Sequence, residues 1–203
     1  AKEDMSAVED WINTYHVGGI IFFKGTPLKQ AIQTNYYQSI SKLPLFIAID
    51  GEWGLSMRLE NTPNFLKQMQ MGAMRSDSLV YEMGKEVGRE CKRMGININF
   101  APDVDINNNP LNPIIGDRSF GEERNRVAEY SSAYMKGMQE SHIIACAKHF
   151  PGHGDVAVDS HKDLPVLCKT MEEMDSLELY PFRYIRDKGV MSMMVAHINI
   201  PCL

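Results

Sequence analysis

Residues 143–161 read Ile-Ile-Ala-Cys-Ala-Lys-His-Phe-Pro-Gly-His-Gly-Asp-Val-Ala-Val-Asp-Ser-His. The first five residues, Ile143–Ala147, form a continuous apolar run, which is typical of a strand that is buried on both faces. The proline and glycines that follow predict a shaped loop rather than a helix or a strand. That loop holds three histidines and two aspartates. Because the histidine pKa lies nearest to neutral pH, the stretch predicts a buried strand that runs into a loop suited to proton transfer or metal ligation.

The same alternation of elements extends in both directions from this stretch. Four further apolar runs predict strands at residues 18–23, 45–50, 96–100 and 190–196. Helical spacing of apolar residues predicts helices at 28–40, 77–94, 125–141 and 170–188, the last with a capping box from Thr170 to Glu173 and a kink or break at Pro181. Five apolar strands that alternate with helices predict an α/β protein with a parallel sheet covered on both faces.

Polar residues follow the predicted strands at their carboxyl ends. This is the edge at which both a (β/α)8 barrel and an open doubly wound sheet build their sites. A barrel needs eight strands and about 250 residues, whereas the 203 residues here carry five predicted strands. The pattern therefore predicts either an open α/β sheet or an incomplete barrel. The absence of Gly-x-Gly-x-x-Gly after the first strand argues against a dinucleotide-binding fold.

Composition excludes several classes of partner. The formal net charge of −5, with 44% hydrophobic and 23% charged residues, gives no basic footprint for nucleic acid. No apolar run approaches the length that spans a bilayer, so we expect no membrane partner. The four cysteines lack CxxC spacing, which predicts buried free thiols and favours a reducing compartment such as the cytoplasm over the periplasm or the exterior; they are Cys91, Cys146, Cys168 and Cys202.

The loop after residue 147 offers a candidate proton-transfer pair. Asp159 and His161 lie two positions apart, so in an extended segment both side chains point the same way. The carboxylate could then fix the imidazole tautomer and leave the other ring nitrogen free to transfer a proton. The alternative is ligation of zinc or manganese, although neither HExxH nor CxxC spacing supports it. The metal ligands in that alternative would be His149, His153, Asp155, Asp159 and His161.

Charged residues near other strand ends are candidate binding groups. Arg118 lies in a glycine-flanked loop and offers a planar donor fork for hydroxyls or carboxylates, and Lys148 directly follows an apolar strand. Asp50 closes another strand and precedes Gly51-Glu52-Trp53-Gly54. A carboxylate beside an aromatic ring resembles a sugar subsite; the alternative is that Trp53 belongs to the core.

Taken together, these motifs resemble one enzyme family. Residues 148–154 followed by Asp159-Ser160-His161 resemble the signature of glycoside hydrolase family 3, of the bacterial β-N-acetylhexosaminidase (NagZ-like) type. The other matching stretches are 18–22, 45–54, 99–105 and 115–121. Trp53 departs from the glycine that is usual at its place in the family. The resemblance implies a (β/α)8 TIM-like barrel, of which residues 1–203 hold about the first five β/α units.

The resemblance also implies a reaction. It is the hydrolysis of terminal non-reducing β-linked N-acetylglucosamine, in glycans of the peptidoglycan type, with retention through a covalent glycosyl-enzyme and without a metal or other cofactor. The residues that would bind the sugar are Asp50, Arg118, Lys148 and His149. His161 would be the general acid/base, polarised by Asp159, where most glycosidases use a carboxylic acid.

One part of the family's machinery is expected outside this chain. The nucleophilic aspartate of the family belongs to a later strand, beyond Leu203, so the chain resembles a fragment that should be inactive by itself. The edge of an incomplete barrel should favour association unless another segment covers it. Two other functions stay open, namely a metal-dependent hydrolase that uses the His/Asp loop and a sugar-binding chain without turnover. Transfer to phosphate instead of water also stays open.

Overall fold

The computed structural model describes residues 5–157 and 164–203 of the chain. Its five strands are β1 (Gly19–Phe22), β2 (Phe46–Ile49), β3 (Ile98–Asn99), β4 (Ile144–Phe150) and β5 (Ser192–Val195). Its seven α-helices in the described residues are α1 (Met5–Asn13), α2 (Pro27–Ile40), α3 (Gln68–Gly72), α4 (Asp77–Arg93), α5 (Arg124–Glu140), α6 (Met171–Ser176) and α7 (Leu179–Asp187). Two short 3₁₀ helices cover Leu55–Met57 and Gly116–Arg118.

The strands form one parallel sheet in the order β1-β2-β3-β4-β5. This confirms the predicted α/β class and the parallel pairing, and neighbouring strands in the sheet are also consecutive in the chain. The paired strands are shorter than the apolar runs that predicted them. Ile96 and Ile143, for example, are buried but lie just before β3 and β4 begin. All the strands point the same way, so their carboxyl ends meet at one edge of the sheet.

Local sequence signals account for the helix boundaries. Thr26 caps α2 by accepting a hydrogen bond from the backbone of Lys29, and Pro27 occupies the first helical position, where its missing N–H costs nothing. The helices predicted at 77–94 and 125–141 are confirmed to within one residue at each end.

The helix predicted at 170–188 is divided into α6 and α7. The capping box from Thr170 to Glu173 is confirmed. The break falls at Leu177 and Glu178, just before α7 begins, and Pro181 is the third residue of that helix. A proline in the first turn of a helix loses no intrahelical hydrogen bond, so Pro181 is tolerated where a continuous helix would have excluded it.

The two longest helices, α4 and α5, make the most extensive contact between elements. Glycines allow their backbones to approach closely. A Cβ atom at Gly84 would lie 2.2 Å from the carbonyl oxygen of Tyr134, and one at Gly137 would lie 2.2 Å from that of Tyr81. The conformational cost of a mid-helix glycine is therefore offset by packing that no larger residue would permit.

All four thiols are free; Cys91 and Cys146 are buried as predicted, whereas Cys168 is exposed, because it lies in the extended segment before α6, outside the core.

Within the described residues, β1 and β5 are each paired on one side only. Apolar side chains are exposed at both ends of β5: Met191, just before the strand, is 66% exposed, and Val195, its last residue, is 69% exposed. In the described part of the chain, no helix is long and apolar enough to cross a membrane.

Replacing Gly84 by alanine should destabilise the protein. The new methyl group would meet a backbone carbonyl rather than a flexible side chain, so we expect a loss of about 2 kcal/mol or more in the free energy of unfolding, measured by urea denaturation. The matched control is Gly18→Ala, because Gly18 is exposed and a Cβ there meets no atom within 4 Å; it should change stability by less than about 0.5 kcal/mol. Equal effects of the two substitutions would contradict the packing described for α4 and α5.

Candidate active site

A cavity of about 350 Å³ opens at the carboxyl ends of the strands. Its polar lining consists of Asp50, Arg58, Arg118, Lys148, His149 and His153. The four sugar-binding residues predicted from the sequence, Asp50, Arg118, Lys148 and His149, are therefore brought together in one site. They come from distant parts of the chain, and the parallel strand order places them at one edge.

Lys148 lies near the end of β4 and is almost completely buried. Its Nζ atom donates to Asp50 Oδ1 at 2.6 Å and lies 2.8 Å from Glu52 Oε1. Burial alone would lower the pKa of the ammonium, but the carboxylates of Glu52 and Asp50 outweigh that effect and raise its pKa. Lys148 is therefore a fixed positive charge in the wall of the cavity.

Glu52 is the carboxylate that organises this wall, and the sequence analysis assigned it no function. Its side chain has no exposed surface and accepts hydrogen bonds from Arg118, with Nη2 to Oε1 at 2.6 Å and Nε to Oε2 at 3.0 Å. Burial opposes its ionisation, but Lys148 and Arg118 outweigh burial and lower its pKa to about 2. The only sequence signal was its position two residues after Asp50, in the loop that follows β2.

Arg58 is a second residue that the sequence analysis missed. It follows the 3₁₀ helix Leu55–Met57, lines the cavity, and its Nη2 atom donates to Asp50 Oδ2 at 2.8 Å. Asp50 thus joins two cations, with one oxygen on Arg58 and the other on Lys148. No local motif marks Arg58. Its contact with Asp50 forms only because the chain after β2 turns back towards the end of that strand.

His149 follows Lys148 in β4, lines the cavity and contacts Asp105 in the segment after β3. Its Nδ1 atom lies 2.7 Å from Asp105 Oδ2, and its Nε2 atom lies 3.4 Å from Arg118 Nη2. Burial is the main cause that lowers the pKa of His149 to about 4, although the nearby Asp103 carboxyl acts in the opposite direction. The ring is therefore neutral near pH 7.

Asp103 and Asp105 are completely enclosed, and their pKa values move in the opposite direction to that of Glu52. Burial raises both, and for Asp103 the neighbouring Asp105 raises the pKa further. Asp103 Oδ2 has no hydrogen-bond partner among the described residues. Asp105 accepts backbone hydrogen bonds on both oxygens, from His149 to Oδ2 at 3.1 Å and from His153 to Oδ1 at 2.7 Å.

A metal could be held in one place among the described residues, and it differs from the ligand set considered from the sequence. The ligand atoms of Asp103, Asp105 and His149 all lie within 4.8 Å of one another. Two of these atoms are already joined by the 2.7 Å contact between Asp105 and His149, and the Arg118 guanidinium lies 3.7 Å from Asp103. Asp155, one of the ligands considered from the sequence, is instead paired with Lys169 at 2.7 Å.

Two sequence-based expectations remain, one for Trp53 and one for Asp159 and His161. Trp53 does not line the site cavity; it packs against the core, and Lys67 lies 5.0 Å from its ring centroid. This favours the core interpretation of Trp53 over a sugar platform. Asp159 and His161 lie outside the described residues, so their catalytic assignment stays a prediction. The Lys169–Asp155 ion pair joins the two chain segments that flank them.

Comparisons with known proteins agree on one family. The model of the Glycosyl hydrolase family 3 N terminal domain matches residues 2–203. Beta-hexosaminidase A of Pseudoalteromonas piscicida is 37% identical over 97% of this chain, which spans 35% of that relative. Among solved structures, a family 3 β-N-acetylglucosaminidase from Paenibacillus sp. str. FPU-7 superposes with a TM-score of 0.90 at 41% identity, covering 96% of this chain and 38% of that one.

A second solved structure carries a bound sugar derivative. It is NagZ from Neisseria gonorrhoeae in complex with N-trifluoroacetyl-D-glucosamine, with a TM-score of 0.87 and 28% identity over 96% of this chain and 60% of that one. The chain thus spans between about a third and two thirds of the length of these similar proteins. The fold likeness confirms the predicted fold class, with the five strands as the first part of the family's barrel.

The substitution Glu52→Gln should weaken folding strongly at neutral pH. It leaves Arg118 and Lys148 short of a buried counter-charge, and breaking a buried pair costs about 3–5 kcal/mol. Since the folded pKa of Glu52 is lowered from 4.5 to about 2, its contribution is complete above about pH 4.5 and is lost as the pH falls through about 2. Urea denaturation at pH 7, 5, 3 and 2 should therefore show the difference between variant and wild type shrinking towards pH 2.

The matched control is Glu86→Gln, which removes an exposed carboxylate paired with Arg89. An exposed ion pair contributes about 0–1 kcal/mol, so this variant should stay close to the wild type at every pH. A Glu52→Gln protein as stable as the wild type at pH 7 would mean that Glu52 does not hold the cationic wall together.

Proposed function

The chain belongs to glycosyl hydrolase family 3, and on that premise we propose that the protein that carries it removes β-linked N-acetylglucosamine from the non-reducing ends of glycans. The proposed reaction is hydrolysis with retention of configuration, through a covalent glycosyl-enzyme. Peptidoglycan-type fragments are the proposed natural substrates. The observation that carries the proposal is the cavity at the strand ends, where cationic donors and a shared carboxylate converge.

The cavity has the chemistry that a monosaccharide needs. At about 350 Å³ it falls within the size range of small-molecule sites. A sugar hydroxyl both donates and accepts hydrogen bonds, so it is best held between a fixed donor and a fixed acceptor. Arg58, Arg118 and Lys148 supply donors, and Asp50 and His149 supply acceptors. Because Arg58, Arg118 and Lys148 are already held by ion pairs with Asp50 and Glu52, these donors need little reorganisation when the sugar binds.

Proton transfer is assigned to the two residues beyond the described part of the site. His161 is proposed as the general acid that protonates the leaving oxygen and then as the base that activates water, with Asp159 stabilising the imidazolium. The family motif in residues 148–161 supports this assignment. No residue of this chain is proposed as the nucleophile.

The first test is the substrate range of the natural protein that carries these residues. It should hydrolyse p-nitrophenyl β-N-acetylglucosaminide at least about a hundredfold faster than the α-anomer, and proton NMR of the early product should show the β-anomer, because retention requires two inversions. A first product with the α configuration, or equal rates on both anomers, would contradict the proposal. Addition of phosphate tests the acceptor: formation of a sugar 1-phosphate would assign phosphorolysis instead of hydrolysis.

The second test separates proton transfer from sugar binding. His161→Ala should lower turnover by about 10²–10⁴-fold for a substrate with a poor alkoxide leaving group. The loss should be much smaller for a nitrophenyl glycoside, whose leaving oxygen barely needs a proton. Asp159→Asn should act in the same direction but more weakly. Equal losses on both substrates would assign His161 to binding rather than to proton transfer.

The group formed by Asp103, Asp105 and His149 supports a second candidate, a metal-dependent hydrolase. Dialysis against a chelator distinguishes the two. The retaining glycosidase should keep its activity, whereas activity that is lost and then restored by zinc would favour the metal-dependent reaction. Sugar binding without turnover of any glycoside would select the third function considered from the sequence.

A further inference from the structure

The two ring nitrogens of His149 face partners of opposite kind. Nδ1 lies 2.7 Å from a carboxylate oxygen of Asp105, and Nε2 lies 3.4 Å from Nη2 of Arg118. A guanidinium group can only donate hydrogen bonds, so the ring nitrogen that faces it must offer its lone pair. A carboxylate can only accept, so the ring nitrogen that faces it must carry the proton. Both contacts therefore select the tautomer with the proton on Nδ1.

Burial raises the pKa of Asp105, but its hydrogen bonds are those of an acceptor. Its two oxygens receive backbone N–H groups from His149 and His153, and such bonds favour the charged form of a carboxylate even though burial disfavours it. The aspartate is itself held in place, because its backbone N–H donates to Asp103 Oδ1 at 2.9 Å and its carbonyl oxygen accepts from the Ser119 hydroxyl at 2.6 Å. Asp105 is 1% exposed and is not part of the cavity lining, so it can act on a ligand only through the lining residues that it holds, His149 and His153.

We propose that Asp105 is a positioning residue that locks His149 in the Nδ1–H tautomer and so presents Nε2 to the cavity as a hydrogen-bond acceptor. Three of the other polar groups that line the cavity, Arg58, Arg118 and Lys148, are donors. A ligand hydroxyl that displaces the 3.4 Å contact between Arg118 and Nε2 can accept a hydrogen bond from Arg118 and donate its own hydrogen to the single lone pair of Nε2. The site therefore recognises a hydroxyl rather than an anion at that position. The significance for substrate recognition rests on the proposed function, whereas the tautomer itself does not.

The opposite tautomer would reverse this recognition. With the proton on Nε2, His149 and Arg118 would both point N–H groups at the same place, and the hydroxyl hydrogen would have no acceptor there. Leaving a buried polar group unpaired costs more than a hydrogen bond contributes. The proposal therefore predicts that sugar affinity depends on a residue that does not touch the sugar.

The experiment begins with the unaltered protein. Nitrogen-15 NMR of histidine-labelled protein at pH 7 distinguishes a protonated ring nitrogen from a bare one, and the His149 signals are identified by their absence in His149→Gln. We expect a proton on Nδ1 and a bare Nε2. A protonated Nε2 in the wild type would overturn the proposal without the need for any variant to fold.

Asp105→Asn then tests the cause. In the orientation that keeps the 2.7 Å bond from His153, the new amide group replaces Oδ2, loses the bond from the His149 backbone N–H, and donates to Nδ1, which moves the ring proton to Nε2. The same substitution in a Ser-His-Asp triad gives the wrong histidine tautomer. We expect Nε2–H signals to appear and N-acetylglucosamine affinity, measured by calorimetry, to fall by about tenfold or more.

Asp103→Asn is the matched control, because it makes the same change in a buried aspartate two residues earlier. Asp103 Oδ2 lies 3.9 Å from Nδ1 and forms no hydrogen bond within residues 5–157 and 164–203, so the His149 tautomer should stay unchanged. An Asp105→Asn protein with the wild-type tautomer and affinity would overturn the proposal. If the wild type shows the Nδ1–H tautomer but binds no N-acetylglucosamine, the proposed function fails while the tautomer assignment stands.

Discussion

A buried ammonium group at the end of β4 is the constraint on which the site depends. Lys148 is nearly inaccessible to water, and an unpaired charge there would be strongly destabilising. Its counter-charges, Asp50 and Glu52, come from the end of β2. The parallel sheet, in which β3 lies between β2 and β4, brings these ends to the same edge. The ion pairs therefore depend on the strand order.

The enclosed carboxylates of the site divide into two kinds according to their neighbours. Glu52 faces two cations, and its pKa falls to about 2 in spite of burial. Asp103 and Asp105 lie beside each other with one guanidinium nearby, and burial raises their pKa values. The first kind holds Arg118 and Lys148 as fixed donors. In the second kind, Asp105 contacts the ring of His149 and accepts hydrogen bonds from backbone N–H groups. Its effect on a ligand is therefore indirect.

This division suits the recognition of a neutral, hydroxyl-rich ligand. The cations are compensated within the protein, so they offer directed N–H groups rather than a large net positive field. The uncharged His149 adds an acceptor among these donors. In the sequence, the proposed proton-transfer residues Asp159 and His161 follow β4 and lie between the two segments that the Lys169–Asp155 ion pair joins. β4 thus supplies two of the proposed binding residues and precedes the proposed acid/base pair.

The sequence by itself determined the five strands, most helix boundaries and four of the cavity's polar residues, because each depends on a local pattern: an apolar run, a capping residue, or a charge placed directly after a strand. It did not identify Glu52, Arg58 or the Asp105–His149 contact, nor did it place Trp53 in the core or locate the break between α6 and α7. These features depend on which groups meet across the fold; Arg118 and Glu52, for example, are 66 residues apart in the chain. A local sequence pattern shows which charged residue follows a strand and so lies at the site. The ion-pair partner of that residue and its pKa are decided only when the strands pair and exclude water.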